Sequence, residues 1–294
     1  MAQSGLLLVD KPQGFTSHDV VAKVRKAVGT RSVGHAGTLD PMATGLLVLG
    51  IESGTKLLTF IVGADKTYEA TIRLGASTVS DDAEGDVISE FDASGISREE
   101  IVSEIAKLTG TISQRPSSVS AIKVNGVRAY DQVRAGVEVE LKSREVTVSR
   151  FEVLGEIRKS GKFIDLDVIV ECSSGTYIRA LARDLGIGLG IGGHLTQLRR
   201  TRVGGFKVEE AVSLEQLASV EFEIQSLLSA AKDVLPTFEI SEQQAVDLRN
   251  GKRFPGDAPV TTGVFHGEDF VAVVENTSEG LLKSLAVFPK GTNG

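Results

Sequence analysis

The apolar residues of 16–29, TSHDVVAKVRKAVG, fall on one stripe at helical spacing through Val20, Val21, Val24, Ala27 and Val28. Thr16 or Ser17 can cap the first turn, Asp19 sits near the positive end, and Gly29 can close the helix in the left-handed conformation. Lys23, Arg25 and Lys26 stand off the stripe, where a solvated face and a phosphate contact are both open readings. A second helix is predicted over 97–110: Ser97 and Glu100 make a capping box ahead of Ile101, Val102, Ile105 and Leu108, and Gly110 is the stop. A third spans about 176–185, with Ile178, Leu181, Ala182 and Leu185 inward and Gly186 at its end.

Period-two alternation predicts strands at 67–74, 145–153 and 163–171. In the first, Tyr68, Ala70, Ile72 and Leu74 share one face and Thr67, Glu69, Thr71 and Arg73 the other. Helices and strands are interspersed without a regular βαβ repeat, which points to an α+β fold with a mixed or antiparallel sheet flanked by helices. From 208 to 235 the chain reads as an acidic helical stretch. Short β-like runs at 259–265, 269–275 and 282–288 follow, punctuated by Gly263, Gly267 and Gly280 as in a small barrel. The expected division is a catalytic domain over 1–231 and a small β domain over 232–294.

Composition narrows the classes of function. At 294 residues, 41% hydrophobic and 24% charged, the chain suits a water-soluble globular protein with a large domain and a small one. One cysteine, Cys172, excludes an internal disulfide and a multi-cysteine metal site. No apolar run approaches the roughly 20 residues of a bilayer span, and the start, MAQSGLLLVDKP, does not read as a signal peptide, so a cytoplasmic location is expected. The net charge of −7 argues against a generic nucleic-acid coat, but the charge is uneven. Residues 81–105 hold nine acids against Arg98 alone, whereas 171–207 hold six bases against Glu171 and Asp184, compatible with one specific RNA face.

The most unusual stretch for chemistry is 34–50, GHAGTLDPMATGLLVLG. Pro41 drives Asp40 out of the helical region, so a carboxylate is held on a glycine-rich loop beside an apolar run. That setting suits a nucleophile or base; an Asx-type turn before proline is the competing reading. CSSGTYIRALARDLG, 172–186, places Tyr177 and Arg179 where a helix starts, and an arginine there could pair with a catalytic carboxylate. Tyr68 is either core or a stacking platform for an extruded base. The histidines His18, His35, His194 and His266 lack metal-ligand spacing, no GxxxxGK[ST] occurs, and GIGLGIGG at 186–193 follows a helix where a dinucleotide fingerprint needs a strand.

GHAGTLDPMATGLL resembles the signature of the TruB family of pseudouridine synthases, with its histidine, glycine, Leu-Asp-Pro and Ala-Thr-Gly. The likeness continues, in the family's order, through LLLVDKPQGFTSHDVV, ADKTYEATIRLG, RPSSVSAIKVNGVRAY at 115–130, CSSGTYIRALARDLG and GGHLTQLRRTRVGGF, covering residues 6–206. It implies a pseudouridine synthase catalytic domain followed by a PUA-like β domain. It further implies isomerisation of uridine 55 in the T-arm stem-loop of tRNA by a cofactor-free, metal-free enzyme that needs no guide RNA and acts as a monomer. By matched position, Asp40 is the catalytic nucleophile and Arg179 its partner. Tyr68 stacks on the base and is a candidate for handling the C5 proton. His35 organises the flipped RNA, Tyr177 and Leu198 line the uracil pocket, and Lys11, Arg199, Arg200 and Arg202 contact the RNA backbone.

The implied reaction breaks N1–C1′, turns the base and rejoins it through C5, so no electron or group leaves. Attack at ribose C1′, a glycal route and addition at uracil C6 all remain open. So does a reading from another class, an RNA-folding module in which binding and release of the T arm matter without catalysis.

Overall fold

The computed structural model describes residues 3–117, 141–219, 221–258 and 260–291, with two short strands, Lys123–Val124 and Val127–Arg128, between the first two stretches. The rest of the RPSSVSAIKVNGVRAY motif, residues 118–122, 125–126 and 129–130, lies outside the described residues. The chain packs as two compact units, Met1–Ala64 with Arg202–Gly294, and Asp65–Thr201.

In the first unit, strand Gly5–Lys11 pairs antiparallel with Thr44–Ile51, from Gly5 opposite Ile51 to Lys11 opposite Gly45. The run LLVLGI is buried on both faces, which explains its unbroken apolarity. Leu46 and Val48 join a core with Leu6, Phe206, Phe270 and Phe288, while Leu47, Leu49 and Ile51 join Val20, Val21 and Val24 of helix Ser17–Val28. Thr16 caps that helix in a full capping box with Asp19, and Gly29 ends it at φ 71°. A five-stranded sheet runs in the order Thr237–Glu239, Thr262–His266, Asp269–Asn276, Leu281–Val287, Phe254–Pro255. One side of it packs on helix Glu242–Arg249 through Leu248, Val264, Val271 and Leu282; the other contributes Phe270 and Phe288 to the core around Leu46.

The acidic stretch 208–235 is not one helix. It breaks into a 3-10 turn Val208–Glu210, helix Leu214–Ser219, strand Gln225–Ser226 and helix Leu227–Val234. Long-range pairing of Gln225 and Ser226 with Leu6 and Gly5 overrides the local helical pattern.

In the second unit the strand order is Gly193–Val203, Lys66–Leu74, Phe163–Cys172, Arg144–Ser160, Gly110–Gln114. The predicted strands are present and longer than their alternation suggested: the one expected at 145–153 runs from Arg144 to Ser160, through register shifts near Val148 and Leu154. Helix Arg98–Lys107 carries the capping box of Ser97 and Glu100 and ends before Gly110, which instead opens a strand at φ 93°. Helix Ile178–Gly188 runs past Gly186, where a Cβ would lie 2.1 Å from the Gly192 backbone. Gly186 and Gly193 therefore serve close packing of that helix on the start of the next strand. The architecture is α+β, with largely antiparallel sheets and one parallel pair, Thr237–Glu239 beside Thr262–His266, and, among the described residues, no helix long and apolar enough to cross a membrane.

Candidate functional site

The candidate residues are divided between the two units. In the first, Asp40 sits half-buried on the connection between strand Val33–His35 and strand Thr44–Ile51. The neighbouring side chains of Ala36, Leu39, Met42 and Ala43 are buried, so the loop is pinned in the core on either side of the carboxylate. Leu39 donates its N–H to Ser17 Oγ at 2.9 Å and accepts from the same hydroxyl at 3.2 Å. Pro41 carbonyl accepts from Gly14 N–H at 2.9 Å and from Lys11 Nζ at 3.4 Å, and Asp40 carbonyl accepts from Ala43 N–H at 3.1 Å. The nucleophile candidate thus stands on a backbone clamped at both adjacent residues.

Ser17, considered as a helix cap, is the hydroxyl that fixes Leu39; Thr16 does the capping. Lys11, expected against the RNA backbone, is 0% exposed and gives its ammonium to the carbonyls of Pro12, Phe15 and Pro41 at 3.1, 2.6 and 3.4 Å. The buried ammonium ties those three carbonyls together beneath the loop. His35 is half-buried with its ring edge-on to exposed His18, centroids 5.7 Å apart, a pairing that 17 residues of sequence separation conceals. Arg202, half-buried, donates to Gly204 carbonyl at 2.9 Å.

In the second unit, Tyr68 lies on the buried face of its strand opposite Val170, and Lys66, two residues earlier, lies on the same face opposite Cys172. Leu198 and Arg200 share a face of strand Gly193–Val203, both buried, with Arg199 half-buried on the other. Arg200, expected to contact the RNA backbone, is 1% exposed. Burial and then the nearby Arg200 charge push the Lys66 ammonium down to about 8 from 10.5. Between those values the unfolded chain binds more protons than the folded one, so this group makes stability rise with pH across that window. Lys66→Met should remove that term: urea midpoints at about pH 7.5 and pH 10 should show wild type gaining on the variant at the higher pH.

Tyr177 stands at the N-cap of helix Ile178–Gly188. Its N–H donates to Gln114 Oε1 at 2.8 Å and its carbonyl accepts from Gln114 Nε2 at 3.0 Å, while the Arg144 guanidinium lies 4.9 Å over its ring. Two residues on, Arg179 is 4% exposed, donates to Ser80 carbonyl at 2.7 Å and lies 3.4 Å from the Asp82 carboxylate. Asp81 and Asp82 are buried, so part of the acidic run 81–105 consists of internal partners for helix arginines. Sequence reasoning missed Gln114, Asp81 and Asp82; the only signal was the unusual density of acids.

Residues 25–178 match the family described as TruB family pseudouridylate synthase (N terminal domain), and 179–235 match the tRNA pseudouridylate synthase B C-terminal domain. The chain is similar to a protein of Arthrobacter sp. (strain FB24) named tRNA pseudouridine synthase B, 57% identical over 88% of this chain and 85% of the relative. A protein of the same name from Paenarthrobacter aurescens (strain TC1) is 52% identical over 98% of this chain and 96% of its own. Among solved structures, a chain of a Cbf5-Nop10-Gar1 complex has a TM-score of 0.73 at 26% identity, covering 98% of this chain and 86% of that one.

Proposed function

The chain belongs to the TruB family of pseudouridine synthases, and from that premise we propose that it isomerises uridine 55 in the T arm of tRNA, with Asp40 as its nucleophile. That it is a tRNA pseudouridine synthase, an isomerase, follows from relatives of that name more than 50% identical over most of the chain. The finer reading is carried by one observation: Leu39 and Pro41 are both fastened, by Ser17 on one side and by Gly14 and Lys11 on the other. A loop so held presents the intervening carboxylate without reorganisation at the moment of reaction.

In this reading the target base leaves the stacked loop, at a cost of a few kcal/mol that stacking and pocket contacts offset. Tyr68 stacks on the extruded uracil and handles the C5 proton, Tyr177 and Leu198 wall the pocket, and His35 organises the flipped strand. Arg179 serves as the partner of Asp40. Arg199 and Arg202 steady the RNA backbone. Attack at C1′, the glycal route and addition at C6 all need that carboxylate ionised, and each ends with C1′ joined to C5 and the C5 proton released. Residues 1–231 do the chemistry, and 232–294 form a PUA-like RNA-binding domain. The enzyme works as a monomer in the cytoplasm, with neither guide RNA nor cofactor.

Tritium release from tRNA transcribed with C5-labelled uridine tests this. Wild type should release the label from position 55 with no metal or nucleotide added, and a transcript carrying cytidine there should release none from that site. Binding of tRNA without release would favour the RNA-folding reading instead.

A further inference from the structure

Arg179 and Arg183 lie one turn apart on helix Ile178–Gly188 and so share a face. Both reach the same short loop. Arg179 takes Ser80 carbonyl and Asp82, and Arg183 takes the residue between them, with Nη1 3.1 Å from Asp81 Oδ2. Arg183 is used on every side: Nε donates to Asp184 Oδ1 at 2.9 Å and Nη2 to Arg115 carbonyl at 2.6 Å.

Asp81 is one of two described non-glycine residues with positive φ, at 61°, and is 8% exposed. A non-glycine residue in that conformation persists where its surroundings impose it. Here Leu195 N–H holds its carbonyl at 3.0 Å and Arg183 holds its carboxylate. The loop around it is tight: Thr78 Oγ1 donates to Asp82 carbonyl at 2.7 Å, Ser80 Oγ to Asp82 Oδ1 at 2.5 Å, and a Cβ on Gly85 would lie 2.3 Å from Ser80 Oγ. The backbone turn at Asp81 therefore decides where Ser80 carbonyl and the Asp82 carboxylate point, and these are the groups that aim Arg179.

We propose that Arg183 is a positioning residue for the isomerisation: by locking Asp81 in its left-handed turn and anchoring Arg115 carbonyl, it sets the direction of the Arg179 guanidinium. Arg183 touches neither substrate nor reacting atoms. The inference rests on the proposed role of Arg179.

The test is steady-state tritium release, with tRNA affinity measured alongside, for Arg183→Leu, Arg183→Lys and Asp81→Asn. Asparagine tolerates the left-handed conformation but loses the charge, so Asp81→Asn carries the test if Arg183→Leu fails to fold. Arg183→Leu should lower kcat on the order of 10- to 100-fold, with KM and tRNA affinity within about threefold of wild type. A lysine meets one acceptor where the guanidinium meets three, so Arg183→Lys should recover part of the loss. The double variant with Asp81→Asn should be no slower than the worse single one, because both break one link. A folded Arg183→Leu with kcat within about twofold of wild type, a loss seen only in KM or affinity, or losses that multiply would overturn the proposal. A silent wild type would instead sink the functional reading beneath it.

Discussion

Asp40→Asn loses pseudouridine formation by a factor of about 10⁴ or more, roughly 5.5 kcal/mol of barrier, while tRNA affinity stays within a few-fold. The size follows from chemistry: an amide is neither a nucleophile at C1′ or C6 nor a base for a glycal route, so every route loses its reacting group. The selectivity follows from structure. The bonds that hold the loop, Ser17 with Leu39, Gly14 and Lys11 with Pro41 carbonyl, and Ala43 with Asp40 carbonyl, all engage backbone atoms and survive the substitution. Asparagine is nearly isosteric, so the fold and the RNA surface should be retained. Asp40→Glu keeps the charge but advances it by one methylene on a fixed backbone, and it should also be severely impaired because about 1 Å of misplacement is costly. Single-turnover tritium release with parallel filter binding separates these terms. An Asp40→Asn enzyme within tenfold of wild type would remove Asp40 from the chemistry.

How legible this was depended on distance along the chain. Thr16 with Asp19 and Ser97 with Glu100 are signals three residues long, and both capping boxes form. The face assignment of Tyr68, Ala70, Ile72 and Leu74 follows from period two alone, and all four are buried. The 208–235 stretch misled because Gln225 and Ser226 pair with residues more than 200 positions away, and no local propensity encodes that bond. The same rule sorts the site. The motif around Asp40 was readable as a string, but what holds it was not: Ser17 reaches Leu39 over 22 residues, Gln114 reaches Tyr177 over 63, and Arg183 reaches Asp81 over 102. Lys11 shows the limit most sharply, since a lysine beside a proline in a glycine-containing segment reads as a surface cation until its burial is seen.

Lys11→Met should cost on the order of 2–5 kcal/mol of folding stability, the largest loss expected from one polar substitution in the first unit. Methionine matches the lysine stem in length and apolarity, so packing alone would make the change mild. What it removes is three N–H donations at one stroke, to the carbonyls of Pro12, Phe15 and Pro41. Water cannot easily replace them, because the side chain is fully buried where it ends. Gly14 N–H still meets Pro41 carbonyl, so the Asp40 loop should loosen without being released. The activity loss should therefore be smaller than for Asp40→Asn and should appear in kcat more than in tRNA affinity. Lys11→Arg should not rescue it, since a planar fork with five fixed donors does not fit a cavity shaped around a compact ammonium. Urea unfolding of the three proteins reads the stability term directly. A Lys11→Met midpoint equal to wild type would mean that the three carbonyls find other donors, and Lys11 would then be dispensable to the clamp on Pro41.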